Sequence, residues 1–407
     1  ISPLNFCAGN HPVQIEIVNS GTATLTSAVI NWELDNIPQP AINWSGSLAT
    51  GAKATVMLNN SVAFGSAART VKAWTALPNG KTDTVNNDDT LNAVVRASLN
   101  GVYTVGTGGD FPTVVDAANT LNQFGVCGPV TMNILSGVYN GQIMLDDISG
   151  ASAVNRITFQ SQSGNPANVT IAASPATTGY VFQFNNASYV TLKNVTVQSN
   201  ATNAGRVVEF TGTSSYDSVV NCKINSSVFS SSSNAAGIYA TDLAGSNNVL
   251  LNNDIVGGYY GIYWRGTSTS NITENHVLEG NDISDVYYYS MYLYYTGNLK
   301  IRNNTVRAIN SPTTHYGIYG YYNDGALEVV NNDFIITGNG QKSGIYMLYS
   351  DASATARGIT LNNTIAIDCG TSTAYGLYSS YGSYNDFVNN SVSVNSTSTD
   401  ALAARFY

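Results

Sequence analysis

LLNNDI, at residues 250–255, is one copy of a phrase that recurs through the second half of the chain and decides its fold. The related copies are LKNVTV (192–197), VVNCKI (219–224), LEGNDI (278–283), IRNNTV (301–306), VVNNDF (329–334), TLNNTI (360–365) and FVNNSV (387–392). Successive copies are 23 to 31 residues apart. Short apolar phrases at this period, with no helical pattern between them, predict a solenoid with three short strands in each coil, a parallel β-helix.

The fourth position of the phrase is predicted to form a structural asparagine ladder. Neighbouring strands of a sheet lie about 4.8 Å apart, so equivalent residues of successive coils stack on one another. A stacked asparagine can donate from its amide and accept at its carbonyl along the column. The ladder members are Asn253, Asn281, Asn304, Asn332, Asn363 and Asn390.

Tyrosine follows the same period. Of the 26 tyrosines, 20 lie between Tyr239 and Tyr384, in phrases such as HYGIYGYY (315–322). The apolar column that precedes the central tyrosine is expected to face inward, which turns that tyrosine outward. The predicted aromatic strip contains Tyr239, Tyr260, Tyr263, Tyr289, Tyr292, Tyr295, Tyr316, Tyr319, Tyr322, Tyr346, Tyr349, Tyr375, Tyr378 and Tyr381. Three uses stay open: mutual stacking that shields the strands, packing against another protein or in a filament, and glycan binding.

Charge is scarce in this chain. Charged residues make up 10% of the sequence, the formal net charge is −9 and the pI is about 4.7. An acidic chain of this kind argues against nucleic acid and anionic membranes as partners. No run of 18 apolar residues is present, so no membrane span is predicted.

Three segments are predicted along the chain. Residues 1–98 alternate apolar and polar positions between turn signals, as in an immunoglobulin-like β-sandwich. Residues 99–128 contain a linker and a short amphipathic helix at 110–125, with Asp110 as the expected N-cap and Gly125 as the stop. Residues 129–407 form the β-helix, and the helix is expected to seal its first coil.

The repeats resemble the right-handed parallel β-helix superfamily that includes pectate lyases. The segments FCAGNHPVQIEIVNSG (6–21) and AWTALPNGKTDTVNNDDT (73–90), together with GVYTVGTGGDFPTVVDAANTL (101–121), are similar to modules of large surface proteins of Bacteroidota. Such proteins are typically exported by the type IX secretion system. The resemblance implies an extracellular, cell-surface protein, and no catalytic residues come with it.

Sequence patterns alone favour a structural or adhesive protein over an enzyme. Polysaccharide-cleaving sites need converging acids, usually with a base, and glycoside hydrolysis needs two carboxylates on either side of the bond. Asp254 and Asp282 share one outward column and are weak candidates for Ca²⁺; no other cofactor is expected. No basic residue recurs beside them, and Arg302 is expected to pair with Glu279. The alternative prediction is a carbohydrate-binding or polysaccharide-degrading protein that uses the tyrosine strip.

Cysteines and partners complete the predictions. Cys222 and Cys369 fall on coils too far apart to bridge and should be free and buried, whereas Cys7 and Cys127 could form a disulfide between sandwich and helix.

The last phrase, ALAARFY, has the pattern of a strand in a further coil, so head-to-tail self-association into a filament is expected, with other surface proteins or glycans as alternative partners. The resemblance also implies O-glycosylation at three positions: Thr84, Thr90 and Ser218.

Overall fold

The computed structural model describes residues 5–83, 89–202 and 205–407, which fall into two compact units. The first unit contains residues 1–100 and 123–129, and the second contains 101–122 and 130–407.

The described residues of the first unit include seven antiparallel strands. Two of them pair as one sheet, and the other five form a second sheet around the strand Leu25–Leu34. Apolar residues alternate into the space between the sheets, where Val13, Ile30, Trp32 and Val71 are almost fully buried. The strands are Gly9–Val18, Leu25–Leu34, Ile37–Pro38, Ile42–Leu48, Lys53–Phe64, Arg69–Ala76 and Thr90–Val95, with a 3-10 turn at Pro78–Gly80. Two antiparallel sheets are thus present, and the finer immunoglobulin-like assignment stays a prediction.

Three parallel sheets make up the solenoid, and each coil gives one strand to each sheet. Sheet I contains Leu99–Val105, Val126–Ile134, Ile157–Ser161, Val190–Lys193, Ser218–Val220, Val249–Leu251, Val277–Glu279, Lys300–Arg302, Glu328–Val330, Gly358–Leu361 and Asn385–Val388. Sheet II contains Gly137–Asn140, Val169–Ala173, Thr196–Ser199, Lys223–Asn225, Asp254–Val256, Asp282–Ser284, Thr305–Ser311, Asp333–Gly338, Thr364–Gly370 and Ser391–Ser396. Sheet III contains Ile143–Leu145, Tyr180–Asn185, Arg206–Thr211, Ala236–Leu243, Tyr260–Gly266, Thr273–Glu274, Tyr289–Gly297, His315–Asp324, Lys342–Leu348, Ala374–Ser380 and Leu402–Phe406. A 3-10 turn lies at Pro166–Asn168. The predicted parallel β-helix is confirmed, and its first strands begin before residue 129, within the segment predicted to be a linker.

The predicted helix is present but begins later than expected. It spans Val114–Phe124, and Thr113 caps it, since the Thr113 hydroxyl accepts from the Asp116 backbone N–H at 3.1 Å. Asp110, the predicted N-cap, instead accepts from the Thr104 backbone N–H at 2.7 Å. Asn122 exchanges hydrogen bonds with the backbone of Met144 and Asp146, at 2.9 and 3.0 Å, beside the first strand of sheet III. The helix therefore satisfies backbone groups at that end of the sheet.

The Asn-Asn pair combines a turn residue with a buried ladder residue. The first asparagine has a left-handed backbone, with φ of 54° at Asn252 and 55° at Asn303, a conformation that asparagine tolerates better than most residues. The second is buried and bonds to the next coil, as in Asn281 Nδ2 to Asn304 Oδ1 at 3.0 Å. The same Oδ1 accepts from the Asn281 backbone N–H at 2.9 Å. Equivalent bonds continue to Asn390.

A second buried ladder follows sheet III and was not predicted. The Val190 backbone N–H donates to Asp217 Oδ1 at 2.8 Å, and the Asp217 N–H donates to Asn248 Oδ1 at 2.9 Å. The Asn248 N–H donates to His276 Nδ1 at 3.1 Å. The imidazole is therefore neutral with its proton on Nε2, in agreement with burial that lowers the pKa of His276 to about 3. Burial also raises the pKa of Asp217 well above its usual range.

Replacing Asn304 with alanine tests the asparagine ladder. The change leaves the buried donors of Asn281 without their acceptor, and each such loss costs about 1–3 kcal/mol. We expect the free energy of unfolding, measured by urea denaturation, to fall by about 2–4 kcal/mol. Asn303→Gly is the matched control, because glycine also adopts the left-handed turn, and it should change stability little. Equal stability of Asn304→Ala and the unmodified chain would contradict the structural role of the ladder.

Replacing Asp217 with asparagine should change how stability depends on pH. A carboxyl whose pKa is raised by folding stabilises the fold below its unfolded pKa of about 4, and this contribution is lost as pH rises through the folded pKa. Asparagine keeps the Oδ1 acceptor for Val190 and cannot ionise. We expect Asp217→Asn to melt at a higher temperature at pH about 7 and to lack that pH dependence. Asp254→Asn, on an exposed carboxyl, is the control; an unchanged melting profile for Asp217→Asn would contradict a protonated Asp217.

Candidate functional site

The central tyrosines form a continuous column on the outer face of sheet III. The strand register aligns Tyr239, Tyr263, Tyr292, Tyr319, Tyr346 and Tyr378 as direct neighbours. The inward column beside them, which includes Ile262 and Met291, is fully buried, as the alternation predicts. The ring centroids along the tyrosine column are 4.4, 5.0, 5.4, 5.6 and 4.2 Å apart, and the planes of successive rings are within 14° of parallel.

Two further columns flank the central one, and we call the three together the tyrosine ladder. One contains Tyr260, Tyr289, Tyr316 and Tyr375, with Ser343 in the remaining place. Its rings meet the central rings edge-on, at 71° for Tyr289 and Tyr292. The other contains Tyr295, Tyr322, Tyr349 and Tyr381, stacked with centroids 4.9–5.8 Å apart. These four have a left-handed backbone with φ between 49° and 58°; two of them lie within strands of sheet III and two directly follow a strand.

The ladder presents ring edges and hydroxyl groups to solvent, and not the flat faces of its rings. Each central ring between the two ends has a ring stacked on both faces, so its faces are not open to a ligand. The physical reason is the strand spacing of about 4.8 Å, which leaves room for ring-on-ring contact only. Burial raises the pKa of Tyr316 to about 12 and raises that of Tyr292 and Tyr289 as well. The hydroxyls are therefore neutral donors and acceptors.

A polar cluster continues the central column at its N-terminal end. The register places Gln183 and Glu209 directly before Tyr239. The Glu209 carboxylate pairs with Arg206 and accepts from Gln183 Nε2 at 2.8 Å, and Glu209 is only 2% exposed. Burial raises the pKa of Glu209, although Arg206 and Gln183 act in the opposite direction. The Arg206 guanidinium also lies 3.8 Å from the ring centroid of Tyr239, so it joins the cluster to the ladder.

A second carboxylate lies in the same cluster. Asp146 Oδ1 accepts from Asn185 Nδ2 at 2.6 Å, and Asn185 is two residues from Gln183 on the same strand and the same face. Burial raises the pKa of Tyr180, and the charges of Glu209 and Asp146 raise it further. Sequence inspection missed these residues because they precede the regular repeat and share no common type. Their alternation with buried phenylalanines was the only available signal.

The aspartate column on sheet II has the predicted register but a different set of neighbours. Asp254 and Asp282 are direct partners, and Thr305 follows them before Asp333. Arg307 pairs with Asp282, a contact that the sequence did not predict. A Ca²⁺ ion at this place would have to compete with Arg307. Among the described residues, no group of three or more His, Cys, Asp and Glu side chains could hold a metal ion.

The ion pair predicted for Arg302 has another partner. Arg302 and Glu279 are neighbours in register, but the guanidinium pairs with Glu328 on the following coil. Both side chains of this pair are partly exposed, which makes it a surface contact of small energetic weight.

The cysteines lie where the sequence predicts. Cys7 and Cys127 form a disulfide with Cα atoms 5.4 Å apart, and both belong to the first unit, so the bond closes that unit. Cys222 and Cys369 are free and buried.

The three glycosylation positions differ in their surroundings. Thr84 lies outside the described residues, and Thr90 is exposed. Ser218 is flanked by Asp217 and Val219, which are both fully buried, so the folded chain hides most of that triplet.

Comparisons with known proteins agree with the architecture. Residues 180–358 match the family model described as "right handed beta helix region". The solenoid is a right-handed parallel β-helix.

Among the described residues, no helix has the length and apolar character needed to cross a membrane. No curated protein matches the sequence.

The solved structures similar to this chain include carbohydrate-active enzymes. A family 28 exopolygalacturonase of Yersinia enterocolitica is 9% identical, with a TM-score of 0.36, over 98% of this chain and 100% of that one. A GH87 α-1,3-glucanase catalytic domain in complex with nigerose is 10% identical, with a TM-score of 0.36, over 99% and 90% of the two chains. A mannuronic acid-specific family 6 lyase from human gut microbiota is 12% identical, with a TM-score of 0.36, over 71% and 82%.

These comparisons contradict the prediction that the chain is not an enzyme, because the structures named are a glycosidase, a glucanase and a lyase. The adhesive or filament interpretation finds no support in them. At these identities and scores the likeness concerns the fold, and the substrate has to be inferred from the chain's own residues.

Alkaline titration tests the packing of the tyrosine ladder. A tyrosine whose pKa is raised by folding stabilises the fold below its unfolded pKa of about 10, and that contribution is lost as pH rises through the folded pKa. We expect phenolate absorbance of the ladder tyrosines to appear together with the loss of the β-sheet circular dichroism signal, in one narrow pH interval. The urea-unfolded chain, which should titrate near pH 10, is the control. Complete phenolate formation near pH 10 with an intact sheet signal would contradict a buried ladder.

Proposed function

We propose that this protein is a carbohydrate-active β-helix protein that binds a polysaccharide along the outer face of sheet III. The observation that carries the proposal is the continuity of the tyrosine ladder with the polar cluster around Glu209. Together they form one extended face, with six central tyrosines in unbroken register. The five steps between these tyrosines span about 24 Å at about 4.8 Å per step.

The chemistry of this face suits a sugar chain. Sugars offer many hydroxyl groups and a few apolar C–H patches, and the ladder offers phenol hydroxyls beside half-buried ring edges. The rings are held by stacking before any ligand arrives, so little side-chain entropy is lost on binding. A regular row of donors and acceptors matches a polymer with a regular repeat.

Cleavage of the bound chain is a second candidate function, favoured by the two carboxylates of the polar cluster. Glu209 has a raised pKa and is the candidate proton donor, and Asp146 is the candidate second carboxylate. For proton donation, the glycosidic oxygen would replace Gln183 at Glu209 Oε2.

An extracellular location is part of the proposal. It is supported by the Cys7–Cys127 disulfide, since such bonds persist in oxidising compartments. The immunoglobulin-like assignment of the first unit and the likeness to exported Bacteroidota surface proteins belong to the same proposal and rest on sequence resemblance.

Removing hydroxyl groups from the ladder should weaken polysaccharide binding. The double variant Tyr292→Phe with Tyr319→Phe keeps the stacked rings and removes two hydroxyls. We expect affinity, measured by gel electrophoresis in polysaccharide-containing gels, to fall about tenfold, because each neutral hydrogen bond contributes about 0.5–1.5 kcal/mol. Tyr216→Phe is the matched control, since Tyr216 stacks on Tyr189 outside the ladder and is 44% exposed. Unchanged affinity of the double variant would rule out the ladder as the binding face.

Release of reducing ends from a bound polysaccharide tests the second candidate function. Glu209→Gln keeps the shape of the side chain and removes the acidic proton, so we expect the rate to fall by about 100-fold or more, with binding retained. Asp282→Asn, on sheet II, is the control. If the unmodified protein binds a polysaccharide but releases no reducing ends, the cleavage proposal fails and the binding proposal stands.

A further inference from the structure

The central column of the tyrosine ladder carries no ionic charge between its two ends. In the central column, all six positions between Glu209 and Arg405 are tyrosines. Burial raises the pKa of the ladder tyrosines Tyr260, Tyr289 and Tyr292, so these groups remain neutral at physiological pH. A ligand that lies along the central column therefore meets a row of neutral hydroxyls.

The arginines around the ladder are engaged with protein groups. Arg206 is paired with Glu209 and lies against the ring of Tyr239. Arg265 lies on the ladder face, in register with Tyr294, and among the described residues it is the one arginine there between the two ends of the ladder; its guanidinium is 3.9 Å from the Asp242 carboxylate and 6.0 Å from the ring centroid of Tyr295. Arg405 lies at the far end of the column, 4.5 Å from the ring centroid of Tyr407. No two of these cations are neighbours in the column, so they offer no row of positive charge.

Acidic groups lie at the edge where the chain leaves sheet III. Asp324 and Asp351 come two residues after Tyr322 and Tyr349 of the ladder, and the Asp351 backbone N–H donates to Asp324 Oδ1 at 3.1 Å. With the overall net charge of −9, this edge repels anions.

An acidic polysaccharide would bind this face poorly. A polyuronate carries a carboxylate on each sugar, and taking each one out of water without a cation costs free energy that neutral hydroxyls only partly return. A neutral polysaccharide has no such cost. The hydroxyls repeat at about 4.8 Å along the solenoid axis, while across the sheet only a few columns are available.

We infer that the ligand of this face is an uncharged polysaccharide that lies parallel to the solenoid axis. This inference rests on the proposed function and narrows it, since two of the enzymes that share the fold are named for galacturonic and mannuronic acid substrates. The selectivity follows from the tyrosines of this chain, which supply hydrogen bonds without charge.

Matched pairs of polysaccharides test the inference. Polygalacturonate and its carboxyl-reduced form have the same backbone and linkage and differ only in charge, and alginate can be reduced in the same way. Neutral glucan, mannan and xylan complete the panel. We expect at least one neutral polymer to bind, each reduced form to bind more tightly than its acidic parent, and the affinity for neutral polymers to change little between low and moderate salt.

Two results would overturn the inference. Tighter binding of an acidic parent than of its reduced form would contradict it while leaving the proposed function in place. Absence of binding to every polymer in the panel would overturn both, and so failure of the selectivity is distinguishable from failure of the function.

A single substitution tests the physical cause. Leu348 is a half-buried, outward position in the same column as Arg265 and Tyr321, so Leu348→Lys adds to the ladder a cation that, unlike Arg265, has no carboxylate partner. We expect the ratio of acidic to neutral affinity to rise roughly fivefold or more, because a carboxylate would gain a charge-assisted hydrogen bond. Leu348→Gln is the polar, uncharged control. Circular dichroism establishes that both variants fold, and an unchanged ratio in a folded Leu348→Lys variant would contradict charge as the cause.

Discussion

Everything in the solenoid depends on the parallel, in-register hydrogen bonding of successive coils. This pairing sets each residue about 4.8 Å above its counterpart in the coil before it. At that distance, equivalent side chains of successive coils touch one another. A residue type that recurs in each coil therefore forms a continuous column of contacts. Asparagine gives a buried chain of amide hydrogen bonds, apolar residues give a continuous core, and tyrosine gives a stack of rings.

The same spacing explains which parts of the structure could be predicted from the sequence. The Asn-Asn phrase has two separate physical requirements, a left-handed turn and a buried amide, and both favour asparagine strongly enough to leave a visible repeat. The tyrosine columns were also visible in the sequence, because the same residue type recurs at the same position of successive coils. The ladder through Asp217, Asn248 and His276 left no visible repeat in the sequence, because three different side chains fill one role as hydrogen-bond acceptors for a backbone N–H.

The candidate site was harder to predict than the fold. The polar cluster depends on Gln183 and Glu209, from two strands, and on Asp146, directly after a third strand; these residues are far apart in sequence and are brought together by the strand register. The direction in which the tyrosine rings stack also follows from three-dimensional packing. Sequence could place the rings outward, but contact between neighbouring rings decides that hydroxyls and edges, rather than faces, meet the solvent.

The unequal length of the coils has a consequence for how such a protein can change. Copies of the repeat are separated by as few as 23 and as many as 31 residues, yet the strands keep their register across those differences. The extra residues lie partly in the corners between sheets and partly in longer strands of sheet II, such as Thr305–Ser311. Loops can therefore be gained or lost in the corners beside the proposed binding face while the strand register is kept, which separates variation at the rim from the stability of the scaffold.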